Sequence, residues 1–201
     1  LTKVQDPELH RDIVSLGMVK DLAIDNGKVR FTVELTTPAC PLRETIEADC
    51  KKALSAVVGI TGLEINFGSQ VRGSKSGAGQ TDLLPTVKNV VLVAAGKGGV
   101  GKSTVAANLA VALQLLGAKT GLLDADIYGP SVPIIMGVKG EPTKIDVGGV
   151  QKIAPTMAHG VPVMSIGFFL DADQAVIWRG PMLGKALHQL MGDVHWGELD
   201  Y

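Results

Sequence analysis

Gly96-Lys97-Gly98-Gly99-Val100-Gly101-Lys102-Ser103-Thr104 is the stretch on which the reading of this chain turns. The apolar run from Val90 to Ala95 precedes it, and a helix-like segment, Ser103 to Leu116, follows, so it occupies a strand-to-helix turn. Such a turn gathers backbone N–H donors at the positive end of a helix dipole, and its glycines remove the side chains that would hold a polyphosphate away. Lys102 is then placed to reach the outer phosphates, and the Ser103 hydroxyl to ligate Mg2+.

Two templates fit these glycines. Gly96-x-Gly98-x-x-Gly101 matches the dinucleotide fingerprint, and Asp124, 23 residues beyond Gly101, stands where a ribose-binding acid belongs. Gly96-x-x-x-x-Gly101-Lys102-Ser103 matches the phosphate-binding P-loop over a longer span, and the Lys-Ser pair has no role in the dinucleotide template. The longer match favours a nucleoside triphosphate. Asp124 and Asp126, at i and i+2 on the end of the next strand, project to one side, toward a Mg2+ and the terminal phosphate. One carboxylate is placed to hold a metal-bound water and the other to orient the attacking water. The plainer alternative for Asp126 is that it starts the turn Ile127-Tyr128-Gly129-Pro130.

Working outward, the segment from Leu84 to Tyr201 alternates strand and helix. Strand 89–95, the loop, helix 103–116 with Gly117 as its stop, and strand 120–124 predict a βαβ unit and hence a parallel sheet. A hairpin is expected over Ile145–Ile153 around Gly148-Gly149, a buried strand over Val161–Ile166, and a helix over Pro181–Met191. Residues 73–83 read as a flexible Gly/Ser linker, which sets off residues 1–72 as a small α+β domain. There, Asp6-Pro7-Glu8 signals a helix to about Ser15, Asp25-Asn26-Gly27 joins two strands, Leu42–Val57 carries a helical apolar face, and Thr61–Phe67 closes the unit. The expected fold class is thus an α/β P-loop NTPase domain with a parallel, incomplete sheet, behind an α+β domain in the order αββαβ.

Cys40, in Thr36-Thr37-Pro38-Ala39-Cys40-Pro41, precedes the second of those helices, where a helix dipole favours the thiolate that binds metal or attacks. A small hydrophobe in a loop is the alternative. Cys50 falls on the helix's apolar face and is expected in the core. The four histidines show no ligand spacing. Arg179, beside Trp178 and ahead of a helix start, suits stacking or anion contact, or simple solvation.

Composition sets outer limits. With 19 basic and 20 acidic residues the chain offers no global charge for nucleic acid or an anionic membrane, and neither partner is expected. Two cysteines make no disulfide framework and no apolar run approaches the roughly 18 residues of a membrane span, so a cytoplasmic setting is expected. The start at Leu1 and the stop at Tyr201 are read as those of a fragment.

The loop, with Lys97 after its first glycine, also resembles the deviant Walker A loop of the MinD/ParA/nitrogenase-iron-protein class. Leu123-Asp124-Ala125-Asp126-Ile127-Tyr128-Gly129-Pro130-Ser131, with Trp178-Arg179-Gly180-Pro181-Met182 and Trp196-Gly197-Glu198-Leu199-Asp200-Tyr201, resembles the Mrp/ApbC group of iron–sulfur cluster carrier ATPases. Residues 1–72, through Asp6-Pro7-Glu8 and Thr37-Pro38-Ala39-Cys40-Pro41, resemble the SufT-like assembly domain. The resemblance implies a homodimeric ATPase that uses ATP and Mg2+, carries a 4Fe–4S cluster between subunits and passes it to apo iron–sulfur proteins alongside cluster assembly factors. It implies that Lys97 reaches across the dimer, that Lys102 and Thr104 hold phosphates, that Ser103 ligates Mg2+, and that Asp126 positions water. The group's C-x-x-C pair and its later switch segment would lie beyond Tyr201. A MinD/ParA-like positioning ATPase acting on membrane or DNA is the alternative, and a chain of this extent is expected to hydrolyse ATP slowly.

Overall fold

The computed structural model describes residues 1–71, 73, 82–169 and 180–201. Most of the expected linker, and Trp178 with Arg179, lie outside the described residues. The chain divides into two units, Leu1–Val71 and Arg72–Tyr201.

The first unit is built on a three-stranded sheet in the order β3-β4-β5, with β3 at Val19–Asp25, β4 at Lys28–Leu35 and β5 at Gly62–Ser69. Strand β4 alternates buried and exposed residues along its length, the pattern of a strand with one face on a core. Asn26 (φ 47°) and Gly27 (φ 83°) both take the left-handed conformation, as a tight hairpin between β3 and β4 demands. Helix α1, Arg43–Ser55, buries Ile46, Cys50 and Leu54 at helical spacing and supplies the crossover that makes β5 parallel to β4. Phe31, Val33, Ile46 and Cys50 are almost wholly enclosed in this core.

The helix expected from Asp6 to Ser15 does not form. Two short strands, β1 (Gln5–Asp6) and β2 (Arg11–Asp12), pair antiparallel in its place. The reason lies in the aspartates. Asp6 Oδ1 accepts the N–H groups of Glu8 and Leu9 at 2.9 Å, and Asp12 Oδ1 accepts those of Val14 and Ser15 at 3.1 and 2.8 Å. Each caps a local turn, and Pro7 serves the first turn with the geometry it would have lent to a helix start.

The second unit holds helix α2 (Lys102–Leu115), strand β6 (Leu122–Asp124), the short helix α3 (Val132–Ile135), a hairpin of β7 (Lys144–Val147) and β8 (Val150–Ile153), strands β9 (Thr156–Ala158) and β10 (Val161–Ser165), and helix α4 (Gly180–Gly192). Gly148 and Gly149, at φ 62° and 84°, make the tight turn between β7 and β8. Strand β10 is the centre of a three-stranded sheet, parallel to β6 on one side and antiparallel to β9 on the other. Val161, Val163, Met164 and Ser165 of β10 are buried to completeness, as a strand covered on both faces must be.

Residues 89–95, expected as the strand leading into the glycine loop, form no ladder, and Val90 and Leu92 are 71% and 82% exposed. The residues just ahead of this run do pair, with the segment 199–201. Leu199 exchanges backbone bonds with residues 86–88 (Leu199 N–H to Thr86 O, Lys88 N–H to Leu199 O, both 3.0 Å), while Tyr201 O accepts Gly121 N–H at 2.9 Å. One run of chain therefore lies between the approach to residues 89–95 and the approach to β6. Asp200 locks the arrangement, its carboxylate taking Lys88 Nζ at 2.7 Å and Lys119 N–H at 3.0 Å. Burial opposes the charge on Asp200, but these two partners outweigh it and its pKa is lowered.

Candidate functional site

The loop 96–101 is turn and bend, and Gly101, at φ 88° and ψ 20°, is the residue from which α2 starts. Gly101, as the N-cap residue, has no side chain with which to cap that helix, and the first turn of α2 holds no acidic residue. The N-terminal N–H groups, with the positive end of the dipole, are left to an external anion. The glycines separate into two kinds. Gly99 (φ 74°) and Gly101 need their backbone conformation, whereas Gly96 and Gly98 do not, and a Cβ built on any of the four meets no atom within 4 Å. Neither the fold's own packing nor φ requires glycine at 96 and 98. The backbone at these positions is open to close approach, as a phosphate-binding turn needs.

Sharing a cleft with the first turn of α2 is the end of β6. Asp124 is 4% exposed, and three donors converge on its carboxylate: Asp126 N–H to Oδ1 at 3.1 Å, Val132 N–H to Oδ2 at 3.2 Å, and Ser165 Oγ–H to Oδ2 at 3.1 Å. Burial raises its pKa, and the three hydrogen bonds work in the other direction. Asp126 is exposed, its Oδ1 accepting Gly129 N–H at 3.1 Å within the turn it begins. Asp126 thus starts the turn, as the plainer sequence reading has it, while its side chain stays exposed on the cleft that Asp124 also lines.

Lys102, Ser103, Asp124 and Asp126 line a single cleft of about 640 Å³, bounded on another side by residues 89–95. Lys102 and Ser103 are half-buried in the first turn of α2. Lys97 and Val100 are exposed in the loop, and Thr104 is exposed with its carbonyl accepting Asn108 Nδ2 at 2.8 Å. The donors on this cleft, a hydroxyl and carboxylates, are the hard oxygen ligands that suit Mg2+. Ser165 was not singled out by the sequence. A lone polar residue closing the run Val161-Pro162-Val163-Met164 was the available signal, since a buried hydroxyl has to find a partner.

In the first unit, Cys40 is half-buried against the core, and its carbonyl accepts Arg43 N–H at 3.4 Å just ahead of α1. The Arg43 guanidinium lies 4.8 Å above the Phe67 ring. Among the described residues, no group of three His, Cys, Asp or Glu side chains is arranged to hold a metal ion. Cys50 is buried, and burial pushes its thiol up to about 11. No helix among the described residues is long and apolar enough to cross a membrane.

Comparison with known proteins adds the following. Residues 86–201 match the family described as the NUBPL iron-transfer P-loop NTPase, and residues 1–67 match the family described as iron–sulfur cluster assembly protein. The chain is 49% identical over 201 residues to an iron-sulfur cluster carrier protein of Deinococcus radiodurans, covering all of this chain and 55% of that protein. It is 46% identical over 202 residues to one from Synechocystis sp., covering all of this chain and 57% of that protein. The chain thus spans little more than half the length of these relatives. A solved nucleotide-binding protein in complex with ADP from Archaeoglobus fulgidus is 39% identical over 53% of this chain and 39% of its own, with a TM-score of 0.43.

Proposed function

This chain belongs to the NUBPL iron-transfer P-loop NTPase family, and from that premise we propose that it is the nucleotide-binding part of an ATP-hydrolysing carrier that delivers iron–sulfur clusters to apo-proteins. One observation carries the reading: a single polypeptide joins an iron-transfer NTPase unit to an iron–sulfur cluster assembly unit. Carriers of that description in other organisms run the whole length of this chain in the same order.

The loop 96–101 and the first turn of α2 bind the triphosphate through backbone N–H groups, and Lys102 takes the outer phosphates. Ser103 and, through water, Asp124 are the residues that would hold Mg2+, which neutralises phosphate charge when bound. Asp126, exposed at the mouth of the cleft, orients the attacking water. Phosphoryl transfer asks little covalent chemistry of the protein, so positioning of these groups supplies most of the catalysis. Lys97, exposed in the loop, acts on a second copy's nucleotide in a homodimer. The cluster is cargo carried between subunits, and Cys40 is the candidate thiol for handling it in the first unit.

The test is anaerobic reconstitution of the full-length protein with iron and sulfide, followed by incubation with an apo iron–sulfur enzyme. The expected outcome is a labile cluster with absorbance near the sulfide-to-iron charge-transfer band, and recovery of the acceptor's activity. A protein that takes up no cluster, or keeps it, contradicts the proposal.

A further inference from the structure

Ser165 sits at the last position of β10, wholly enclosed, and no role in nucleotide chemistry follows from its place in the sequence. Its hydroxyl makes two bonds at once. It donates to Asp124 Oδ2 at 3.1 Å and accepts Gly167 N–H at 3.0 Å from the single 3-10 turn Ile166–Phe169 that follows. Asp124 in turn holds both ends of the loop that carries Asp126, through Asp126 N–H on one oxygen and Val132 N–H on the other. Gly167 also lies against this loop, for a Cβ added there meets Pro130 side-chain atoms at 3.1 Å.

We infer that Ser165 is a positioning residue for the nucleotide site, fixing the Asp124 carboxylate so that the loop 126–132 presents Asp126 in one orientation. The inference rests on the nucleotide-hydrolysing reading given above. The physical case is one of rotation. A carboxylate on a short stem turns about its terminal torsion, which is broad, and an exposed loop hung on both its oxygens turns with it. Ser165 comes from a different strand from either end of the loop, so its bond fixes the torsion against the sheet and not against the loop itself. Buried completely, that bond faces no competition from water. The chain continues from Ser165 straight into the 3-10 turn, so a displacement of that turn is transmitted to Asp126 through two hydrogen bonds.

The experiment compares ATP hydrolysis, equilibrium ATP affinity and melting temperature for full-length wild type, Ser165→Ala and Ser165→Thr. Ser165→Ala is expected to lower kcat about tenfold, the loss of one hydrogen bond to a charged group. ATP affinity stays within about twofold, because the loop 96–101 and Lys102 are untouched. Ser165→Thr keeps the hydroxyl on a residue suited to a strand and restores kcat to within about threefold of wild type. Wild-type kcat in Ser165→Ala overturns the inference. So does a loss of affinity that matches the loss of kcat, a collapse of melting temperature that accounts for both, or a Ser165→Thr protein as slow as Ser165→Ala. A wild-type protein without ATPase activity defeats the underlying reading as well, whereas an active wild type beside an unaffected Ser165→Ala defeats this inference alone.

Discussion

At the scale of single residues, the chemistry divides between groups that are exposed and groups that are enclosed. Lys97 and Asp126 are exposed, while Asp124 is enclosed and tied by three donors. The i, i+2 spacing of the two aspartates was legible in the sequence, and so was their place at a strand end. Their opposite environments were not, because the donors to Asp124 come from positions 126, 132 and 165, and only the fold brings these together. The two cysteines separate in the same way. Burial drives the Cys50 thiol to about 11, whereas Cys40 is only half-buried. Iodoacetamide at pH 8 is therefore expected to label Cys40 and spare Cys50 in the folded protein, and to label both in urea, as read by peptide mass. The sign for stability follows. The unfolded thiol ionises near its reference value of 9.0 and the folded one near 11, so the neutral form that the core favours contributes fully below pH 9 and is lost between pH 9 and about 11. Denaturant melts across that window are expected to fall in midpoint, with Cys50→Val removing the part of the fall due to this thiol.

At the scale of elements, punctuation by glycine, asparagine and proline was read well where it had one meaning. Asp25-Asn26-Gly27 and Gly148-Gly149 are both hairpin turns with positive φ. They differ in what surrounds them. A Cβ on Gly27 would sit 2.6 Å from the Gly59 carbonyl oxygen and 2.9 Å from Thr61 Oγ1, whereas one on Gly149 meets nothing within 4 Å. Gly149→Ala should cost about 1 kcal/mol, the backbone penalty alone. Gly27→Ala should cost more than about 2 kcal/mol, because strained backbone and a clash with another backbone atom add together. Equal shifts in thermal melts would show that the contact with Gly59 carries no weight. Where punctuation had two meanings the sequence misled. Asp-Pro-Glu starts helices and also turns, and at Asp6 the side chain caps a turn while residues 5–6 pair with 11–12, a pairing that no local pattern announces. The run 89–95 has every mark of a buried strand, yet a strand needs neighbours as well as apolar residues. Residues 89–95 line a cleft, and the backbone bonds of residues 199–201 go to residues 86–88 and 119–121, ahead of that run and of β6.

At the scale of the whole molecule, the two units are distinct in core and in the family each matches. Phe31, Val33 and Ile46 close one core, and Val161, Val163 and Met164 the other, with no residue common to both. The family of the second unit was legible because its identity resides in contiguous residues, the loop 96–104 and the run 123–131, where backbone chemistry and side-chain spacing coincide. The assembly-type first unit was legible only through its resemblance, for Cys40 alone fixes no chemistry. The account stands on the claim that the loop binds a triphosphate through Lys102. Isothermal titration of this chain with Mg-ATP tests it most directly: wild type is expected to bind one nucleotide per chain, and Lys102→Ala, losing a charge-assisted bond to phosphate, to bind at least about tenfold more weakly. Binding of equal strength by the two proteins, or none by wild type, would contradict the account.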